Sequence, residues 1–213
     1  MTLNVDGVRF KMVFVEGGEY TAGKGQDTHR VVLKNYYIGE TEVTQALWTA
    51  LMGYHYSKWP GDNMPAEHLS DWDVKNFLIR LNEKTGHVFR LPTEEEWEYA
   101  ARGGKKSKGY TYAGSNNIDD VAWHYDNSGN GPHPVKQKQP NELGLYDMSG
   151  NVAEWCSKWY EYYSASPMNK IKGPAPDDPV IHRGGSWISF AKHCTVTYRN
   201  FFSGSGLRLV MEQ

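Results

Sequence analysis

From Val8 to Val15 apolar and polar side chains alternate, the period of a strand with one buried face, and Glu16-Gly17-Gly18-Glu19 supplies turn residues before Tyr20-Thr21-Ala22-Gly23. The pattern predicts a β-hairpin. Arg30 to Ile38 reads as a further strand that leads through Gly39 to Glu42-Val43-Thr44. Gln45 to Met52 then carries helix formers with an apolar stripe at Leu47, Trp48 and Leu51, and Thr44 is its expected N-cap. After a loop around Trp59-Pro60-Gly61-Asp62, Ser70 opens a second helix that runs past Phe77, Leu78 and Leu81 to Gly86. A third short helix follows Thr93, which stands at capping-box spacing from Glu96, with acidic residues in the first turn and Gly103-Gly104 beyond the end.

From residue 105 onward helical periodicity is lost, and Gly, Asn, Pro and Asp punctuate short aromatic runs, as in an irregular β region with long loops. With no internal repeat and no low-complexity linker, a single domain over residues 1–213 is the simplest organisation. A chain of this length buries roughly 70% of its unfolded surface, so disorder is excluded as the whole account. Composition changes the picture in one respect: 14% of residues are aromatic, eight of them Trp, and 22 are Gly, so the core is built from large rings and tight turns. Charge adds little, because 23 Lys and Arg oppose 25 Asp and Glu, and no nucleic-acid partner is implied. No apolar stretch approaches the ~20 residues that cross a bilayer, and Met1 to Gly7 has no basic region followed by an apolar run, so no signal peptide and no membrane span are expected. The compartment stays open between cytoplasm and surface display.

Candidate chemistry is sparse. The carboxylates Glu94, Glu95, Glu96 and Glu98 suit acid/base work, but first-turn glutamates equally complement the helix dipole while Trp97, Ala100 and Ala101 pack inward. Asp147, Asn151 and Glu154 surround a Gly-containing turn, an oxygen set that suits a hard cation such as Ca²⁺ or, alternatively, a hydrogen-bonded Asx turn. His182-Arg183-Gly184-Gly185-Ser186-Trp187 and Gly206-Leu207-Arg208-Leu209-Val210 read as strands where another backbone or ring comes close to Gly. No helix follows Gly185, which argues against a phosphate cradle. The eight histidines form no HxxxH pair, the two cysteines are too few for a structural zinc site, and no GxSxG is present.

Glu40-Thr41-Glu42-Val43-Thr44, Arg90-Leu91-Pro92-Thr93-Glu94-Glu95-Glu96-Trp97, Gly144-Leu145-Tyr146-Asp147-Met148-Ser149-Gly150-Asn151-Val152-Ala153-Glu154-Trp155, Arg183-Gly184-Gly185-Ser186-Trp187 and Gly206-Leu207-Arg208-Leu209 occur in one order over residues 10–210. Together they resemble the formylglycine-generating enzyme (sulfatase-modifying factor) family. The resemblance implies an α+β, irregular C-type lectin-like fold with short strands, two or three helices and long loops. It also implies a structural Ca²⁺ held at the positions of Asp147, Gly150, Val152 and Glu154, with Asp147 where the family has Asn. A second calcium site of the family, expected between Asp119 and Pro134, is not matched. Catalytic members oxidise a sulfatase cysteine with copper held by two thiolates, and soft thiolates are what select Cu(I). Here Cys194 resembles the second thiolate position and Ser189 stands at the first. No copper is expected, and Cys194 is the catalytic candidate only in the alternative oxidase reading.

The segment from Gly184 to Val210 is similar to the variable region of diversity-generating retroelement target proteins, which share this lectin-like fold and vary residues reachable from Asn codons. Ile188, Ser189, Phe190, His193, Thr195, Thr197, Asn200, Phe201, Phe202, Ser203, Gly204 and Ser205 are all so reachable, and framework residues Trp187, Ala191, Cys194, Val196, Tyr198 and Arg199 interleave with them. If Cys194 to Tyr198 is a strand, Cys194, Val196 and Tyr198 face inward while Thr195 and Thr197 face out. Exposed aromatics among Ser, Gly and Asn are the composition of adaptable binding surfaces. The resemblance therefore implies a non-catalytic protein that binds a protein or other macromolecule through a C-terminal region at residues 184–210. A copper-dependent oxidase and a fixed-partner adaptor of a phage or bacterial surface assembly are the alternatives.

Overall fold

Asp6 and Gly7 both sit at positive φ, +48° and +91°, the requirement of the tight hairpin turn that matches strand twist. They join β1 (Thr2–Val5) to β2 (Val8–Val15), with Val5 opposite Val8. The computed structural model describes residues 1–157, 181–200 and 205–213. The hairpin expected between Val8–Val15 and Tyr20–Gly23 does not form. Instead β3 (Gly18–Ala22) pairs with β4 (His29–Leu33) in a separate two-stranded sheet. The strand expected from Arg30 to Ile38 is likewise split at Lys34-Asn35, and β5 (Tyr36–Gly39) returns to pair with β2. Gly17 permits both departures: a Cβ there would lie 2.3 Å from the Leu33 carbonyl oxygen, and its N–H is taken by Asn35 Oδ1 at 3.0 Å.

The helices follow their caps. Thr44 Oγ1 accepts from the Leu47 N–H to start α1 (Gln45–Met52), which ends at Gly53 in the left-handed region. Ser70 and Asp73 form a reciprocal capping box at the head of α2 (Asp71–Thr85), closed by Gly86. β6 (Phe89–Arg90) precedes α3 (Glu94–Ala101), whose capping box is Thr93 with Glu96. A fourth, single-turn helix, α4 (Ile118–Val121), was not expected; its Asn117 cap lies among punctuation residues that read as loop. Beyond it lie β7 (Glu154–Cys156), β8 (Ile181–Arg183), β9 (Arg199–Asn200) and β10 (Val210–Glu212).

The five-stranded sheet runs β1-β2-β5-β10-β6, so the last strand is inserted between β5 and β6 and the two ends of the chain share one sheet. One core joins this sheet to α1 and α2, where Trp48 stacks on Phe77 at 4.7 Å. A second core gathers Tyr36, Ile38, Trp97, Ala100, Leu145 and Val210 around α3. The small sheet β7-β8-β9 carries the C-terminal segment over α3. Among the described residues no helix is long and apolar enough to cross a membrane.

The α3 glutamates are not surface charges serving the dipole alone. Glu96 is buried and accepts from Arg90 Nη1 and Nη2 at 2.7 and 2.8 Å, Glu98 accepts from Arg183 Nη2 at 2.6 Å, and Glu94 from Arg199 Nε at 2.6 Å. Arg183 arrives from β8 and Arg199 from β9, so these pairs fasten the C-terminal sheet to the helix. Trp97 Nε1 donates to Glu154 Oε2 at 2.6 Å and ties in β7.

Candidate functional site

Gly184 and Gly185, at φ +88° and +70°, turn the chain out of β8. A Cβ at Gly185 would lie 2.7 Å from the His193 carbonyl oxygen and 2.8 Å from Cys194 Sγ, so only glycine permits the segment to fold back on itself here. The next four residues close a tight turn: Ser189 N–H donates to the Ser186 carbonyl at 2.8 Å, and Ser186 N–H donates to Ser189 Oγ at 3.0 Å. Ser189 is thus buried and serves the turn. The main chain is also pinned from outside, since Trp187 N–H reaches the Asn151 carbonyl, Ser128 Oγ donates to the Trp187 carbonyl and Tyr125 N–H to the Ser189 carbonyl.

A backbone held on every side throws Ile188 and Phe190 outward, 58% and 53% exposed. Tyr125, itself 55% exposed, packs on Phe190 at 4.8 Å, and His193 stacks on Tyr198 at 4.6 Å. Ile188, Phe190 and His193 line a cavity of about 490 Å³. Val152 and Ala153 line it, with walls from Trp187, Ile188, Phe190 and His193. Ser186, Ser189, Ser205, Glu67 and His68 supply its polar groups. The volume suits one large side chain or a small molecule, and the lining is predominantly apolar.

Of the residues expected on a binding surface, Ile188, Ser189, Phe190, His193 and Ser205 line this cavity. Thr195 and Thr197 do not; both are half-buried, and the expected strand from Cys194 to Tyr198 is instead a short 3₁₀ turn at Ala191–His193 followed by bends. Cys194 and Val196 nonetheless face inward as alternation required, while Tyr198 is only half-buried. Asn200 is buried in β9 opposite His182. Phe201, Phe202, Ser203 and Gly204 lie outside the described residues. Sequence reasoning missed Glu67, His68 and Tyr125, which come from distant loops and carry no local signal.

Cys156 and Cys194 are both free thiols. Burial pushes Cys194 up to about 12, so at neutral pH it is a thiol, and its Sγ faces the Phe190 carbonyl. Among the described residues no cluster of three or more His, Cys, Asp or Glu is arranged to hold a metal ion.

Beneath the Asp147–Glu154 turn lies a buried ionic cluster. Arg208 is fully buried, and its Nε and Nη2 donate to both oxygens of Glu154 at 2.6 to 3.0 Å. Nη1 reaches the Gly39 carbonyl and Nη2 also the Tyr146 carbonyl. Glu42 joins from the strand side, Oε1 accepting from Asn151 Nδ2 and Val152 N–H. Asn151 therefore serves an internal turn. Asp147 Oδ2 accepts from Lys136 N–H, and two carboxylate oxygens, Glu42 Oε2 and Asp147 Oδ1, are buried without a partner. Three carboxylates thus face one guanidinium, and burial pushes Asp147 up to about 6 and Glu42 well above the usual carboxylate range, with the Asp147 charge adding to the latter. The donor set, hard oxygens with surplus negative charge, fits a hard cation in its chemistry, with Glu154 shared with Arg208.

Residues 7–211 match the sulfatase-modifying factor enzyme 1-like domain. The chain belongs to this family. Among sulfatase-modifying factor relatives, the formylglycine-generating enzyme of Streptomyces coelicolor is 33% identical over 69% of this chain and 52% of its own length, so the chain spans about half of that enzyme. Chaperone protein LppX of Paenibacillus barcinonensis is 34% identical over 92% of this chain and 85% of its own. The solved structure of Treponema denticola variable protein 1 superposes with a TM-score of 0.87 at 30% identity, covering 100% of this chain and 99% of that one. The α+β lectin-like architecture expected from the motifs is therefore the fold of this protein.

Proposed function

We propose that this sulfatase-modifying-factor-like chain is a non-catalytic binding protein, which displays a diversified C-terminal surface on a rigid lectin-like scaffold. The observation that carries the reading is the turn at Ser186–Ser189, whose backbone is fastened by internal hydrogen bonds while Ile188 and Phe190 are left exposed around an apolar cavity. Exposed apolar side chains cost solubility and are retained where a partner covers them. Similarity over the full length to a protein named for its variability supports the same reading. Its test is genetic: residues 188–205 should differ among close homologues while Trp187, Cys194 and Gly206 stay fixed, with a reverse-transcriptase gene and a near-copy of the 3′ segment nearby. Identical 188–205 segments and no such neighbour would leave the retroelement reading without support.

The relationship to formylglycine-generating enzymes favours a second reading, a copper oxidase. Two thiolates are needed for Cu(I), yet Ser189 spends its hydroxyl on a turn and Cys194 is held as a buried thiol. Titration with Cu(I) under reducing conditions should find no stoichiometric site, and one lost on Cys194→Ala would restore the oxidase reading.

A structural Ca²⁺ is proposed for the Asp147 turn, held by Asp147 Oδ1 and the carbonyls of Gly150 and Val152 with Glu154 alongside. A bound cation would offset the surplus carboxylate charge. Calcium should raise the melting temperature and chelator should lower it; an unchanged melt would mean that protons carry that charge.

A further inference from the structure

Glu67 and His68 stand at the cavity on the loop before α2, outside the C-terminal segment. Glu67 is buried, and each of its oxygens is already used: Oε1 accepts from Lys58 N–H at 2.8 Å and Oε2 is hydrogen-bonded to His68 Nδ1. Beside a carboxylate oxygen Nδ1 is the donor, and Nε2 is the other nitrogen of a side chain that is 52% exposed. His68 adopts φ +61°, a left-handed conformation unfavourable for a non-glycine residue. The cap of α2 does not require it, since Ser70 performs that task. Among the described lining residues, the other ionisable group is His193. Among the described residues that line it, the carboxylate is internally satisfied and the cavity offers a ligand imidazoles.

Resting on the reading of this face as a binding surface, we propose that the Glu67–His68 pair is a fixed polar anchor for a carboxylate of a polypeptide ligand, whose neighbouring aromatic or large aliphatic side chain fills the cavity. An imidazolium donates from both ring nitrogens, here from Nδ1 to the Glu67 carboxylate and from Nε2 to a second anion, the latter a charge-assisted hydrogen bond. A saccharide fits poorly, because Ser186 and Ser189 are engaged with each other and the walls of Trp187, Ile188, Phe190 and Val152 are largely apolar, so most of its hydroxyls would lack partners. A small metabolite confined to the cavity would leave the exposed Tyr125 beside Phe190 uncovered, whereas a polypeptide continues across it. In a polypeptide, Asp, Glu or the C-terminus sits within reach of an adjacent apolar side chain. This division of labour keeps one recognition element constant while the walls at Ile188, Ser189, Phe190, His193 and Ser205 change what side chain is accepted.

The experiment is selection of a displayed random-peptide library, with free C-termini, on the intact protein, followed by affinity measurement of the enriched peptides on wild type, Glu67→Gln and His68→Asn. Asn tolerates the left-handed backbone, and urea midpoints matching wild type establish that both variants fold. Enriched peptides should pair an aromatic or large aliphatic residue with an acid one or two positions away. Converting that acid to its amide should weaken binding about tenfold on wild type and less than about twofold on His68→Asn. Enriched peptides that lack an acid, or an amide substitution equally costly on both proteins, would overturn the anchor and leave the binding surface standing. No enrichment on wild type would overturn both.

Discussion

The α3 side of the molecule and the Ser186–Tyr198 face solve opposite problems with opposite residues. Around α3, charged side chains are buried and paired across the chain: Arg90 with Glu96, Arg183 with Glu98, Arg208 with Glu154. On the face, large apolar side chains are exposed and the order resides in backbone hydrogen bonds. A buried ion pair adds little net stability over a hydrophobic substitute, but removing one partner is costly, so such pairs hold a register strictly. Exposed apolar residues on a pinned backbone contribute little to folding and can be exchanged freely. The contrast separates side chains that hold the fold from side chains whose replacement leaves it nearly unchanged.

The largest expected effect breaks the scaffold. Arg208→Met leaves Glu154 beside Glu42 and Asp147 without a guanidinium, and should cost about 3–5 kcal/mol and lower the melting temperature by roughly 10 °C, read by urea and thermal unfolding. A loss below about 1 kcal/mol would dissolve the distinction between the two regions.

Next comes pH. His182 is buried in β8 with neither ring nitrogen hydrogen-bonded, and burial holds it down at about 4, below its unfolded value near 6.5. The unfolded chain therefore takes up a proton that the folded one excludes. The contribution is fully present above pH 6.5 and is lost as pH falls toward 4, a swing of about 3 kcal/mol. His182→Leu should flatten the stability profile in that window, and a profile unchanged by the substitution would refute the assignment.

The smallest effect belongs to the face. Ile188→Ser and Phe190→Ser should each change unfolding free energy by no more than about 1 kcal/mol, the stack on Tyr125 included, while weakening selected ligands severalfold or more. A larger loss of stability would make these residues core and erase the comparison from the other side.

Legibility followed the range of the interaction. The three main helices were readable because Thr44, Ser70 and Thr93 cap within three residues of themselves, and Gly53 and Gly86 mark the left-handed exits. The N-terminal hairpin was misread: Glu16 to Glu19 resembles a turn, yet the backbone conformation that closes a hairpin belongs to Asp6-Gly7. Inward facing of Cys194 and Val196 was foreseen for the wrong reason, since bends and not a strand produce it.

By itself the sequence determined the capped helices, the glycine turns and the family motifs. Each depends on a side chain's identity or on neighbours a few residues away. Tertiary structure alone decided which arginine meets which glutamate, where a cavity opens between loops from Glu67, Val152 and Ser186, and that His68 is oriented toward it by a buried carboxylate. Those features depend on segments far apart in the chain meeting in space, and no local pattern of polarity encodes which ones meet.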